Sequence, residues 1–257
     1  ILITAGGTAE KIDEVRKISN MATGRLGSLI ADTMLHTEDI EVTYLCSEDA
    51  LTPQSNRAKV LHISNVQSLK NALEKLLCEK KYDAVIHSMA ISDYTVKYSV
   101  SSDELEKYLT DYLLQSSTEL GNREQLSFCI HQALSGYHIL QAEKKISSDI
   151  ERLYLCLEKT PKLIRLFKQL QPEAVLVGFK LLVDVEEADL LKAAEKLMND
   201  NQCDFVLAND KRNIDSMRHE GILVGTDHTR QYLHTKQEIA DAISNCVVQA
   251  IKRRRDQ

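Results

Sequence analysis

The sequence predicts an α/β protein built on a mostly parallel sheet flanked by helices, and three features carry that prediction. Short apolar, β-branched runs at residues 1–4, 40–46, 83–88, 174–178 and 205–208 read as buried strands. Stretches with apolar residues at helical spacing lie between most of them, and strands separated by helices imply parallel pairing through crossovers. A final run at 222–233 reads as a hairpin and leads into a helix with Ile239, Ile243, Cys246, Val247, Ala250 and Ile251 on one side. At 257 residues the chain is long enough to bury a sizeable core, and a single α/β nucleotide-binding domain over residues 1–257 is expected.

Taken in order, Ile-Leu-Ile-Thr at residues 1–4 is the first strand. Gly6-Gly7 follows at once, where a chain leaving a parallel strand turns through backbone angles that glycine adopts freely. Thr23-Gly24-x-x-Gly27 then opens an amphipathic helix carrying Leu26, Leu29, Ile30, Met34 and Leu35. Two glycine turns before a helix N-terminus offer unpaired backbone N–H groups and a favourable dipole to an anion. The spacing is neither that of the Gly-x-x-x-x-Gly-Lys phosphate loop nor that of the Gly-x-Gly-x-x-Gly dinucleotide turn. Asp13, Arg16, Asn20 and Arg25 nonetheless crowd the segment with polar groups. After the second strand, Asn65 caps a helix running to about residue 77 with Leu69, Leu73 and Leu76 on one face. The later strands and a helix at about 185–198 complete a Rossmann-like layout. Ligands of such sheets sit beyond the carboxyl ends of the strands, and each motif singled out below is expected there.

Residues 97–146 depart from this alternation. Ser-Ser-Asp-Glu at 101–104 resembles a capping box, followed by Leu105, Tyr108, Leu109, Tyr112 and Leu113 at helical spacing. Gly121 breaks that helix, and a second one carries Phe128, Ile130, Ala133 and Leu134 to an end near Gly136. A helical insertion is expected here, serving as a lid, a dimer contact or a solvated embellishment.

Composition narrows the function classes. Lys and Arg total 32 against 38 Asp and Glu, a net charge of −6, which argues against a general nucleic-acid binder. The terminal Lys252-Arg-Arg-Arg255 reads as a solvated helix end. Six scattered cysteines without a Cys-x-x-Cys pair read as free thiols in a reducing compartment. The chain opens on a strand without a basic leader, and no apolar run approaches the ~20 residues that span a bilayer. The expectation is a soluble cytoplasmic protein without nucleic-acid or membrane partners.

The first glycine segment, Gly-Gly-Thr-x-x-x-Ile-Asp-x-Val-Arg-x-Ile-Ser-Asn-x-x-x-Gly-x-x-Gly over residues 6–27, resembles the signature of the phosphopantothenoylcysteine synthetase family. Ala90-Ile-Ser-Asp93-Tyr94, Val177-Gly178-Phe179-Lys180 and Asp204-Phe-Val-Leu-Ala-Asn209-Asp210 follow in the family's order. The resemblance covers most of the chain outside about residues 97–146. With no flavin-type decarboxylase half attached, it is similar to the stand-alone form of streptococci and their relatives.

The resemblance implies a ligase, unrelated to the ATP-grasp enzymes, that joins 4′-phosphopantothenate to L-cysteine in coenzyme A biosynthesis. A nucleoside triphosphate activates the carboxylate as an acyl-nucleotide, with Mg²⁺ as the cation. CTP is the expected co-substrate, as in bacterial relatives, ATP being the eukaryotic choice. By motif match, Gly6, Gly7, Thr23, Gly24, Arg25 and Gly27 would bind the triphosphate, with Ala22-Thr23 where Ser-Ser is usual. Asn20 would hold the activated carboxyl and Arg16 the substrate phosphate, through a guanidinium fork suited to two oxygens. Asp93 would contact ribose or the pantothenate portion beside Met89 and Ala90, and Phe179 and Asn209 would line the base pocket. Lys144 and Lys145 would be lid lysines, and Lys196 would neutralise the β- and γ-phosphates. The metal ligands are unassigned. The family also implies a homodimer whose sites are shared.

Each residue has a plainer reading. Asn20 and Asp93 serve equally as helix caps, Arg16 as the ion-pair partner of Asp13 or Glu14, and Phe179 as core. Two other functions fit the layout. A nicotinamide-dependent oxidoreductase would use an acidic residue after the second strand, which Cys46-Ser47-Glu48 offers, but the first loop lacks its fingerprint. A non-catalytic nucleotide-binding module would leave the polar residues from Asp13 to Arg25 without a role.

Overall fold

Twelve strands and seven helices form among the described residues of the computed structural model, which are 1–115, 122–137, 146–215 and 218–256. In chain order they are β1 (Leu2–Ala5), β2 (Ala9–Lys11), β3 (Lys17–Ser19), α1 (Arg25–Leu35), β4 (Thr43–Ser47), β5 (Lys59–Ile63), α2 (Val66–Glu79) and β6 (Ala84–His87). Then come β7 (Tyr94–Ser101), α3 (Ser102–Gln115), α4 (Arg123–Gly136), β8 (Leu153–Lys159), α5 (Ile164–Leu170), β9 (Val175–Leu182) and α6 (Glu187–Asn201). The chain closes with β10 (Phe205–Asp210), β11 (Gly221–Gly225), β12 (Arg230–Leu233) and α7 (Lys236–Arg255). It divides into two compact units: a larger one of Ile1–Ala9, Ser19–Ser92 and Pro161–Gln257, and a smaller one of Glu10–Ile18 and Asp93–Thr160.

The larger unit carries an eight-stranded sheet in the order β12-β11-β10-β9-β6-β1-β4-β5. Pairing is parallel from β5 to β10, and β11 and β12 are added antiparallel as a hairpin. Leu2, Ile3, Val85, Ile86, Leu176 and Val177 are fully buried, because helices cover both faces and every position on a central strand meets apolar side chains. Leu69 and Leu73 of α2, Phe167 of α5 and Ala194 of α6 cover the face of Leu2 and Val85. Ile30 and Met34 of α1 and Ile243 and Val247 of α7 cover the face of Ile3 and Ile86. The Asn65 cap is present as a full capping box with Ser68.

Several boundaries differ from the sequence expectation. The second strand begins at Thr43, and the helix expected at 185–198 spans Glu187–Asn201. Two elements of this unit carry too weak a pattern to be read. β5 is an edge strand whose Lys59 and His62 interrupt the apolar run and are exposed. α5 is only seven residues long, and Phe167 is its one fully enclosed side chain.

In the smaller unit, β7 pairs antiparallel with β8, with a register shift between Val96 and Tyr98. Residues 97–101, expected at the start of a helical insertion, are therefore strand. Their partner lies some fifty residues downstream, and sequence periodicity does not report a pairing of that range. The two helices of the insertion form as expected, and Ser101 and Glu104 make the reciprocal bonds of the capping box. The face expected for α4 is corrected in part: Ala133 is buried as expected and Cys129 joins it, whereas Phe128 is 64% exposed and Leu134 39%. The Tyr108 hydroxyl donates to the Ala133 carbonyl at 3.1 Å, and the Tyr108 and Tyr98 rings each lie 4.7 Å from Tyr137, so aromatic packing holds the helix pair.

Candidate functional site

The site grows from the carboxyl end of β1. Gly6 adopts φ +81°, and a Cβ there would stand 2.3 Å from Ser47 Oγ, so only glycine fits. Gly24 (φ +73°) is the N-cap of α1, and its Cβ position lies 3.2 Å from the Gly6 amide nitrogen. At Gly27 a Cβ would meet Ala5 Cβ at 2.6 Å and Ser88 Oγ at 2.7 Å, so the glycine lets the first turn of α1 approach the strand ends closely. The Gly7 amide donates to Ser47 Oγ at 3.3 Å.

The first turn of α1 carries no side-chain cap and no acidic residue. The Arg25 amide reaches Thr23 Oγ1 only at 3.4 Å, while the Ser28 amide closes on the Gly24 carbonyl. The leading N–H groups of a helix have no intrahelical acceptor, and here they stand beside the Gly6-Gly7 turn with the positive end of the dipole. Such an arrangement can hold an anion.

Past the ends of β1 and β6 the chains stay paired. The Ala90 amide donates to the Gly6 carbonyl at 2.8 Å and the Thr8 amide to the Ala90 carbonyl at 3.2 Å. Asn20 Nδ2 donates to that same carbonyl at 3.1 Å, so Asn20, Ala90, Met89 and the glycine turn are gathered in one place. The helix-cap reading of Asn20 is corrected, since Gly24 fills that position and the Asn20 side chain is exposed. Thr4 Oγ1 lies 2.7 Å from His87 Nδ1, and burial lowers the His87 pKa to about 4, keeping the imidazole neutral. Thr8 belongs to the Gly-Gly-Thr motif and Ser47 to the Cys46-Ser47-Glu48 run, but no sequence pattern points to His87, a single polar residue at the end of an apolar strand.

Phe179 and Asn209 lie on one face of adjacent strands β9 and β10. Phe179 packs half-buried against the α1 and α7 layer, and Asn209 is buried with Nδ2 donating to the Glu220 carbonyl at 2.7 Å. The Val177-Gly178-Phe179-Lys180 motif lies inside β9, not at its carboxyl end, because the strand continues to Leu182 paired with Asp210. Gly178 is a packing residue there: a Cβ would meet Cys203 Sγ at 3.1 Å. Lys196 is not brought to the glycine turns. It is exposed, pairs with Asp200 at 3.2 Å, and sits in the half of α6 that leads to the amino end of β10. Lys144 and Lys145 lie outside the described residues. A cavity of about 250 Å³ beside the carboxyl end of β10 is lined by Leu190, Ala208, Ile222, Tyr232, Glu187 and Asp210. Backbone and side-chain donation from Arg212 holds the Asp210 carboxyl well below the usual carboxylate range.

In the smaller unit, Arg16 donates through Nε and Nη2 to Asp13 Oδ2 at 3.0 and 2.7 Å. This pair holds the Asp13 carboxyl far below its ordinary range, backbone N–H donors adding to the effect. The side-chain partner is thus the ion-pair reading of Arg16 with Asp13. Asp93 is exposed and leads into strand β7, which removes its helix-cap reading. Among the described residues no group of three or more His, Cys, Asp or Glu side chains gathers for a metal, and no helix is long and apolar enough to cross a membrane.

Sheet order, the glycine turn at the carboxyl end of β1 and the open N-terminus of α1 define a doubly wound α/β protein with an uncapped helix end beside a glycine turn at its strand ends. The chain belongs to the family described as DNA/pantothenate metabolism flavoprotein C-terminal domain, whose model matches residues 1–115 and 118–251. It is 36% identical to the crystal structure of the DNA/pantothenate metabolism flavoprotein from Streptococcus pneumoniae, with a TM-score of 0.75 over 96% of this chain and 97% of that one. It is 30% identical over 244 residues to the coenzyme A biosynthesis bifunctional protein CoaBC of Thermococcus kodakarensis, covering 95% of this chain and 49% of the relative. The chain therefore spans about half the length of the curated relatives it matches. A Cab2 mutant in complex with phosphopantothenate-cysteine shares the fold at a TM-score of 0.62 and 18% identity, over 98% of this chain and 86% of that one.

Proposed function

We propose that the protein is a phosphopantothenate–cysteine ligase of coenzyme A biosynthesis that works in the cytoplasm. The observation that carries this reading is the uncapped N-terminus of α1 packed against the Gly6-Gly7 turn, with Asn20 and Ala90 beside it, in a chain of this family. The relatives' names supply the substrates: CoaBC is a coenzyme A biosynthesis protein, and the Cab2 structure holds phosphopantothenate-cysteine.

A carboxylate must gain a leaving group before an amine attacks it. The carboxylate of 4′-phosphopantothenate attacks the α-phosphorus of CTP, and the bond to pyrophosphate breaks. The amine of L-cysteine then attacks the acyl carbon, CMP leaves, and the amine gives up a proton. The backbone N–H groups of Gly6, Gly24 and Gly27, with Thr23 and Arg25, bind the triphosphate as fixed donors aimed at developing charge, and Gly7, whose amide is held by Ser47, shapes the turn beside it. Mg²⁺, bound mostly through phosphate oxygens and water, would neutralise that charge. The Asn20 amide donates to the acyl or phosphoryl oxygen without adding charge. Met89 and Ala90 line the crevice, Phe179 and Asn209 bound the base, and Asp93 contacts the ribose or pantothenate hydroxyls. Arg16 binds the substrate phosphate and completes the site of the second subunit in a homodimer.

The test is pyrophosphate release with 4′-phosphopantothenate, L-cysteine and either CTP or ATP. CMP and pyrophosphate in equal amounts, with CTP preferred, are expected. CDP and orthophosphate would mean activation through an acyl phosphate and overturn the mechanism.

A further inference from the structure

Asp13 carries more bonds than an ion pair requires. Its Oδ1 accepts the Val15 amide at 2.8 Å and the Arg16 amide at 2.6 Å, closing the tight turn at residues 13–16. Its Oδ2 accepts Arg16 Nε and Nη2 and also the Ile146 amide at 3.2 Å. Arg16 Nη2 in turn donates to the Ile146 carbonyl at 2.8 Å. The Asp13 side chain is fully enclosed, whereas that of Arg16 is 44% exposed. Every bond lies within the smaller unit, and together they fix one edge and one further hydrogen of the guanidinium. Among the described residues Nη1 has no hydrogen-bond partner, so its amino group is the edge left for a ligand.

The geometry points to Asp13 as a positioning residue that holds the Arg16 guanidinium, together with the backbone of Ile146, in one orientation for a phosphate monoester. An exposed arginine samples many rotamers, and a ligand that orders it loses affinity to that ordering. Here the ordering is built into the fold by a carboxylate that the turn itself positions. A buried carboxylate receiving N–H donors from Val15, Arg16 and Ile146 stays ionised and has no room to turn away. The Asp-x-x-Arg spacing therefore makes the ion pair and the phosphate contact parts of one device: the pair is what aims the arginine. The inference rests on the phosphate-binding role proposed for Arg16.

Two measurements test it. In the first, Arg16 is modified with phenylglyoxal and followed by mass spectrometry in wild type and Asp13→Asn, with circular dichroism confirming the fold. Asparagine keeps the Oδ1 bonds but loses the acceptor for the guanidinium, so Arg16 should react at least about fivefold faster. An unchanged rate would overturn the inference, whatever the ligand. In the second, calorimetry compares 4′-phosphopantothenate with pantothenate, which lacks the phosphate. Asp13→Asn should weaken binding of the phosphorylated compound about tenfold, leave pantothenate binding and the KM for CTP unchanged, and add nothing in an Arg16→Ala background. An equal loss for both compounds, or an additive loss in that background, reduces Asp13 to a structural residue. If wild type fails to bind 4′-phosphopantothenate, the proposed function fails, and the modification rate alone decides the role of Asp13. Should Asp13→Asn not fold, Arg16→Lys keeps the charge but has no planar fork to be held; wild-type affinity in that variant would overturn the inference.

Discussion

Asn20 shows how little a residue's type says before its neighbours are known. As a lone asparagine ahead of a helix it reads as a cap, yet Gly24 takes that position and the Asn20 amide turns to the Ala90 carbonyl beside the glycine turn. Asn20→Asp is nearly isosteric but replaces a donor with a charge that repels both that carbonyl and any phosphoryl oxygen. Ligation is expected to slow roughly 10²–10³-fold, with the acyl-cytidylate accumulating in quenched reactions read by mass spectrometry. Wild-type rates would return Asn20 to a structural role. His87 supports a second prediction at this scale. Its pKa is lowered from 6.5 in the unfolded chain to about 4 by burial, so between these values the unfolded chain binds the extra proton. Stability from this residue is complete above pH 6.5 and is lost as pH falls towards 4, about 3 kcal/mol over the window. His219, lowered to about 4 by burial and the nearby Lys236 and Lys211, acts in the same direction. Urea midpoints measured from pH 7.5 to 4.5 should fall, and fall less steeply in His87→Gln; identical slopes would show that another group is responsible.

At the scale of elements, propensity and packing separate cleanly in α2. Asn65 accepts from the Ser68 amide at 2.9 Å in a solvent-accessible cap, and Asn65→Ala should cost about 1 kcal/mol. Leu73, halfway along the same helix, is fully buried against the sheet, and Leu73→Ala should cost roughly 2–5 kcal/mol through lost contact and the cavity left behind. Chemical denaturation of the two variants checks both, and a cap as costly as the core residue would mean that α2 is held mainly by its own termini. Elements with a strong internal pattern were the ones legible in sequence: α1, α2, α3, α4, α6, α7, the central strands and the β11–β12 hairpin. β5 escaped because edge strands carry lysine and histidine on the solvent side, and β7 and β8 because each needs a partner some fifty residues away.

For the whole molecule, the proposed sharing of sites makes a quantitative forecast. Arg16→Ala and Asn20→Ala homodimers should each be nearly inactive. If Arg16 completes the partner's site while Asn20 serves its own, a mixed two-fold dimer collects both lesions in one site and leaves the other intact. Unfolding equal amounts together and re-pairing them at random makes about half the dimers mixed, so activity should return to roughly a quarter of wild type. A mixture as inactive as its parents would place Arg16 in its own subunit's site, and a monomer in sedimentation would remove the sharing altogether.

The sequence by itself determined the α/β class, the family and the glycine turn that joins the first strand to the first helix. These depend on short-range information: β-branched runs long enough to be strands, helical spacing between them, and glycines where φ must be positive or a backbone must come close. The motif that holds Asn20 and the glycines of the turn is continuous in sequence, and the structure brings both to Ala90. Only the tertiary structure decided that Val177–Lys180 lies within a strand, that Lys196 belongs to an exposed helix face away from the glycine turn, and that α4 buries Cys129 and leaves Phe128 exposed. It alone joined Asp13 to Ile146, residues 133 apart in the chain. The physical reason is common to all four. Which face an element buries, and which distant backbone group a carboxylate meets, is set by pairing and packing across the fold, and no local pattern of residues encodes the partner.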